Sequence, residues 1–303
     1  MSSFILLFVC LLIGMLLRRV PAFPAATPLA LNQFVIYISL PALALLYIPE
    51  IELHRELLLP VAVAWICFGV SALLFGSLGR VYGWSRKLTG CLILMSGLSN
   101  TSFVGFPIIE ALYGESGLKI AILVDQPGSF VALSTVGIAV AAAFSKGEAS
   151  AKGIVKKIFT FPPLLSFFVA LAMSLLGLHF PDALKDVFQR LGSTVTPLAL
   201  VSVGMQLRVE RHSKHWRFLF LGLAYQLVLA PAIIYGLYAG LFNARAEIVQ
   251  VCVMEAAMSP MIAPSIVAAT YGLKPRLANM MVGFGLPLSF ITLVFWYWVV
   301  SGF

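Results

Sequence analysis

Charge is scarce in this 303-residue chain: Asp, Glu, Lys and Arg together make up 11%, against 61% apolar residues and a mean hydropathy of +1.01. A soluble globular domain carries roughly 25% charged residues, so a water-soluble fold is excluded and the apolar blocks are expected to face lipid. Cysteine is equally sparse. Cys10, Cys67, Cys91 and Cys252 all lie inside apolar blocks without CxxC spacing, which argues against a disulfide framework and a zinc site. The four histidines, His54, His179, His212 and His215, fall between the apolar blocks, so a membrane serine hydrolase would lack its base. Asp125 is the one aspartate inside an apolar block, and an aspartyl protease needs two. An enzyme is therefore not expected, and no cofactor is implied. The net charge of +8 is spread over loops rather than gathered on a soluble basic face, so nucleic acid is not an expected partner.

What the chain has in abundance is apolar runs of the length that crosses a bilayer, roughly 20 residues for a core of about 30 Å. Lipid cannot satisfy an open sheet edge, so these runs read as helices. Apolar runs and charged or turn-rich breaks predict ten transmembrane helices near 3–18, 28–48, 57–80, 88–113, 118–144, 159–178, 184–207, 216–241, 247–271 and 276–300. The first segment has no charged leader region and no small-residue cleavage site, so it is expected to be retained as a helix. Residues 1–145 and 159–303 then hold five helices each, joined by a short cytoplasmic hinge at 146–158.

Loops on alternate sides differ in charge. All but Arg55, Lys119, Lys185, Arg190 and Arg245 of the twenty basic residues share one side, and the positive-inside rule makes that side cytoplasmic. Both termini are thus expected on the non-cytoplasmic side of a multi-pass inner-membrane protein. Sliding the halves by about 158 residues brings Ala111-Leu112-Tyr113-Gly114 onto Ala269-Thr270-Tyr271-Gly272. Two tandem units with an odd helix count must lie in opposite orientations, which gives an inverted-topology repeat, the layout of many alternating-access carriers.

Helices 4 and 9 are interrupted at matching places. The first contains Ser99, Asn100, Thr101 and Ser102 ahead of Pro107, and the second contains Ser259, Pro260, Pro264 and Ser265. At 1.5 Å per residue, Asn100 and Ser259 each lie about 18 Å from the start of their helix, near the midplane. Ser259 before Pro260 reads as an N-cap with a first-turn proline, and Asn100, Thr101 or Ser102 as the cap of a second half-helix. Two half-helix N-termini lined with hydroxyls and an amide make a site for a carboxylate without a buried cation. Three acids also lie within helices: Glu110, Asp125 and Glu255. A charge there costs about 3 kcal/mol on insertion scales at a helix centre, so each is a candidate for a proton or a coupling cation. Glu255 and Ser259, four apart, are expected on one helix face, where sodium is a conceivable ligand. The bland alternative is two independent proline kinks, and Pro41 and Pro197 read as such. An anion channel would need a polar stripe through the whole membrane, and a drug/metabolite-type ten-helix carrier shares the parity but gives no reason for paired breaks.

Three stretches, Asn32–Leu43 (NQFVIYISLPAL), Gly97–Pro107 (GLSNTSFVGFP) and Thr196–Leu207 (TPLALVSVGMQL), resemble the auxin efflux carrier family, and the resemblance spans nearly the whole chain. The short hinge looks like that of prokaryotic members, some of them described as malate or malonate carriers. By position, Asn100 and Pro107 match the family's helix 4 crossover and Ser259 to Pro264 its helix 9 crossover. The Asn-Pro-Asn triplet of plant members is missing here. The resemblance implies a scaffold of helices 1, 2, 6 and 7, a moving core of helices 3–5 and 8–10, a homodimer, and small organic anions as substrates. Crossed helices are also similar to those of the sodium–bile acid symporters, where an acid placed like Glu255 helps bind sodium.

Overall fold

A computed structural model describes residues 2–51, 55–145, 160–207, 215–241 and 246–302. The expected hinge at 146–158 lies outside the described residues. Regular structure among the described residues is helical, apart from one isolated antiparallel bridge between Ser99 and Pro260. Five segments are long and apolar enough to cross a membrane: Thr27–Glu50, Arg55–Val81, Thr101–Phe144, Trp216–Gly240 and Pro275–Ser301. Ile5–Leu17 and Pro162–Leu175 are shorter apolar helices. The fold is thus that of an all-helical, multi-pass membrane protein. The 44 residues of Thr101–Phe144 exceed one crossing, and the backbone turns inside them at Gly114, where φ is 64° and ψ is −151°. Gly272, its counterpart in the second Ala-x-Tyr-Gly tetrapeptide, has φ 60°. Both positions favour glycine because a Cβ disfavours that backbone region.

By contacts, the chain clusters into two compact units. The first comprises Met1–Arg55, Ser102–Ile122 and Ile158–Leu207, the second Glu56–Thr101, Leu123–Lys157 and Arg208–Phe303.

In the first unit, α1 (Ser2–Leu17) packs along α10 (Val195–Gln206). The two backbones nearly touch, since a Cβ on Gly14 would strike the Val201 carbonyl and one on Gly204 the Leu11 carbonyl. Small residues at such crossings gain dispersion contact that lipid tails do not supply. Helix 2 is broken into α2 (Thr27–Phe34), a π-helical turn (Val35–Ser39) and α3 (Leu40–Tyr47). Pro41 follows the irregular turn, in the first turn of α3, where its missing N–H is least costly. Hydroxyls knit the unit: Ser39 and Thr194 share a 2.7 Å hydrogen bond, and Ser202 donates to the Pro28 carbonyl at 3.1 Å. The helix expected at 184–207 is instead two, α9 (Asp182–Gly192) and α10, separated at Ser193–Thr194. The first is strongly amphipathic, with Asp182, Lys185, Asp186, Gln189 and Arg190 among its apolar residues, so it is unsuited to continue an apolar span. The remaining helix is α8 (Pro162–Leu175), and α6 (Phe106–Leu123) contributes most of its length.

The second unit holds α4 (Leu58–Val81), α5 (Arg86–Ser96), α7 (Ile138–Phe144), α11 (Trp216–Ala224), α12 (Ala230–Tyr235), α13 (Ala246–Ala256), α14 (Ile262–Thr270) and α15 (Pro275–Ser301). Tyr225 and Tyr238 donate their hydroxyls to the Cys67 and Leu59 carbonyls, pinning the Trp216–Gly240 span to α4. Trp296 of α15 donates its indole N–H to the Leu227 carbonyl at 2.8 Å. All four cysteines are free and buried, in keeping with a packing role.

Candidate substrate site at the paired helix breaks

Each of α5 and α13 is 11 residues long, which at 1.5 Å per residue reaches only about 17 Å, roughly half the bilayer core. Both stop in the second unit, where the chain leaves the helix at Gly97 and at Ala257. Buried backbone freed from a helix must find partners inside the protein, and the two breaks supply each other. Asn100 donates its main-chain N–H to the Ser259 carbonyl at 2.8 Å, and Met261 donates to the Leu98 carbonyl at 3.1 Å. These bonds flank the bridge of Ser99 with Pro260, in which the proline's lack of an N–H does no harm. Ser99 adds a side-chain bond to the Ala256 carbonyl at 3.0 Å.

Three neighbours hold this crossing in place. Gln226, in a π-helical turn at Tyr225–Leu229, donates its amide to the Leu98 carbonyl at 3.2 Å and the Met258 carbonyl at 3.4 Å, touching both breaks. Gly285 lets α15 approach, because a Cβ there would lie 2.9 Å from Cγ of Pro260. Gly97 does the same for α4, with Phe68 Cα 3.0 Å from where its Cβ would be.

The capping geometry differs from the sequence expectation. Ser259 and Pro260 are not the start of a half-helix: α14 begins at Ile262 with Met261 as N-cap, and Met261 makes no side-chain cap. The bridge takes Ser259 and Pro260 for itself, and Pro264 becomes the first-turn proline instead. Ser265 folds its hydroxyl back onto the Ile262 carbonyl at 2.7 Å. Glu255 and Ser259 do not share a helix face either, since α13 ends at Ala256 and the i, i+4 relation ends with it. On the other side, Asn100 directly precedes the π-helical turn Thr101–Gly105, which runs into α6.

Asn100, Thr101, Ser259, Pro260, Pro264 and Ser265 are thus buried residues of the second unit. Ser102 and Pro107, also buried, group with the first unit, as does Glu110. Glu110 is exposed and accepts a hydrogen bond from Thr196 at 2.8 Å.

The other two acids are buried in the second unit. Thr101 donates its hydroxyl to Asp125 Oδ1 at 2.6 Å. Glu255 is 0% exposed, and neither of its carboxylate oxygens has a hydrogen-bond partner among the described residues. The same holds for both side-chain polar atoms of Gln126, for Oε1 of Gln226 and for the Ser96 hydroxyl. Sequence reasoning missed Gln126 and Gln226. Amides within otherwise apolar membrane segments were the available signal, because such groups are retained in lipid only where they have work to do.

A family described as membrane transport protein matches residues 1–297. An uncharacterized transporter of Methanocaldococcus jannaschii is 26% identical over 281 residues, covering 89% of each chain. A second uncharacterized transporter, from Methanothermobacter thermautotrophicus, is 27% identical over 293 residues, covering 95% of this chain and 94% of the relative.

Proposed function

The chain belongs to the membrane transport protein family, that of the auxin efflux carriers, and on that premise we propose that it is a secondary carrier of small organic anions with its substrate site at the paired breaks. The observation that carries this reading is the pairing itself, Asn100 to Ser259 and Met261 to Leu98. The helix from Ile262 onward, in the second unit, begins at that crossing. Its N-terminal N–H groups and dipole favour a carboxylate, while Asn100, Thr101 and Ser259 of the same unit supply side-chain polar groups. Malate, malonate and auxin-like acids are the substrates that fit this chemistry.

Asp125 and Glu255 in the same unit would oppose an anion if both were charged. A proton or sodium ion taken up with the substrate removes that repulsion, so we assign the two acids to coupling. Glu255 is the stronger candidate, since both its oxygens lack partners among the described residues. Glu110, exposed and engaged by Thr196, is the weaker one. An elevator-type alternating-access cycle follows if the unit that holds the breaks carries the substrate. Its support is the clustering of helices 1, 2, 6 and 7 into the other unit, although that unit also takes Ser102–Ile122 from the expected moving core; the positive φ shared by Gly114 and Gly272 is in keeping with a repeat. We place the protein in the cytoplasmic membrane as a homodimer with both termini outside.

The test is flux into liposomes holding the purified protein, with malate, malonate and indole-3-acetate offered in turn. Saturable uptake of at least one carboxylate is expected. No uptake of any by demonstrably folded protein would overturn the reading.

A further inference from the structure

We infer that the ends of α1 and α10 form a binding site for the headgroup of an anionic phospholipid. A recess of about 450 Å³ in the first unit is lined by Met15, Arg18, Arg19, Gly204 and Leu207. The close approach at Gly14 and Gly204 brings the two helix ends together there. Both guanidinium groups belong to exposed residues, and Arg18 spends one donor on the Leu207 carbonyl at 2.7 Å. A guanidinium has five N–H donors in a fork that suits phosphate oxygens, so most of the donor capacity remains. The topology proposed above puts the arginines on the side with fifteen of the twenty basic residues, where anionic headgroups gather around basic recesses.

A lipid, rather than free phosphate, is indicated by what adjoins the charge. Met15 and Leu207 give the recess an apolar wall. Ile5, Phe8, Leu12 and Leu16 of α1 are all exposed large apolar residues, spaced by three or four positions, and the next step of the same stripe is Arg19. A phosphate at Arg19 therefore leaves an acyl chain to run along Leu16, Leu12 and Phe8.

The full chain is purified in uncharged detergent, and its thermal midpoint is followed with added phosphatidylglycerol, phosphatidylcholine or glycerol phosphate. The midpoint rises with phosphatidylglycerol and stays put with the other two. Arg19→Gln loses most of that rise, Arg19→Lys keeps most of it, and Arg80→Gln, on the same side but outside the recess, keeps all of it. The readout is the lipid-induced increment, so a changed baseline in any variant does not obscure it. An equal rise with phosphatidylcholine, an equal rise with glycerol phosphate, or a full rise in Arg19→Gln would each overturn the site.

Discussion

Asn100 donates its main-chain N–H to the main-chain carbonyl of Ser259 at 2.8 Å, so the breaks in helices 4 and 9 are one structural element. The bond is made by backbone atoms, so a substitution of the Asn100 side chain leaves both of its atoms in place.

Gln226→Leu removes the amide that reaches both the Leu98 and Met258 carbonyls. The Leu98 carbonyl keeps the Met261 N–H, but taking the donor from the buried Met258 carbonyl costs about 1–3 kcal/mol. The variant should melt several degrees lower, and its KM for the transported anion should rise more than its maximal rate falls. Thermal unfolding and initial uptake rates check this; unchanged values for both would remove Gln226 from the crossing.

Glu255→Gln replaces a buried carboxyl whose oxygens have no partner among the described residues with a neutral group of the same shape. The fold should be kept or strengthened, because no buried charge then has to be neutralised. If Glu255 carries the coupling cation, transport by the variant becomes indifferent to the sodium or proton gradient that drives the parent. Counterflow with and without each gradient measures this, and a variant with the parent's full gradient dependence would exclude Glu255 from coupling.

Gly285→Ala puts a methyl group against Pro260. Overpacking of this kind costs about 1–3 kcal/mol, and here the strain falls on the bridge of Ser99 and Pro260. Transport should fall steeply in protein that still purifies as folded, whereas Gly69→Ala in α4, where a Cβ meets nothing within 4 Å, should behave as the parent. Equal activity in the two variants would show that the bridge tolerates displacement.

Much of the site was legible as sequence because prolines and a polar run inside apolar helices have few explanations in a membrane: Pro260, Pro264 and the stretch from Ser99 to Ser102 marked both breaks. What the pattern could not give was the use each residue makes of its position. Ser259 before Pro260 has the form of an N-cap, yet pairing across the breaks satisfies more backbone groups than capping would, and the cap moved to Met261. The split of helix 7 at Ser193 was hidden because apolar residues run on both sides of it. The charged face of Asp182 to Arg190 was the clue. Gln226 is not legible in the sequence because its partners, Leu98 and Met258, lie in the two breaks, a relation that only the folded chain displays. The acids were noticed one by one, but the proximity of Thr101 to Asp125 at 2.6 Å and the isolation of Glu255 belong to the tertiary structure.

The most direct measurement is equilibrium binding of the best-transported carboxylate to purified parent protein and to Asn100→Ala, by titration calorimetry. The backbone bond to Ser259 does not use the side chain that this substitution removes, while one side-chain partner of the anion is lost. A hydrogen bond to a charged group is worth about 1.5–3 kcal/mol, which corresponds to Kd weaker by roughly tenfold or more. That loss, in protein that melts like the parent, is the expected result; an unchanged Kd would contradict a substrate site at the paired breaks.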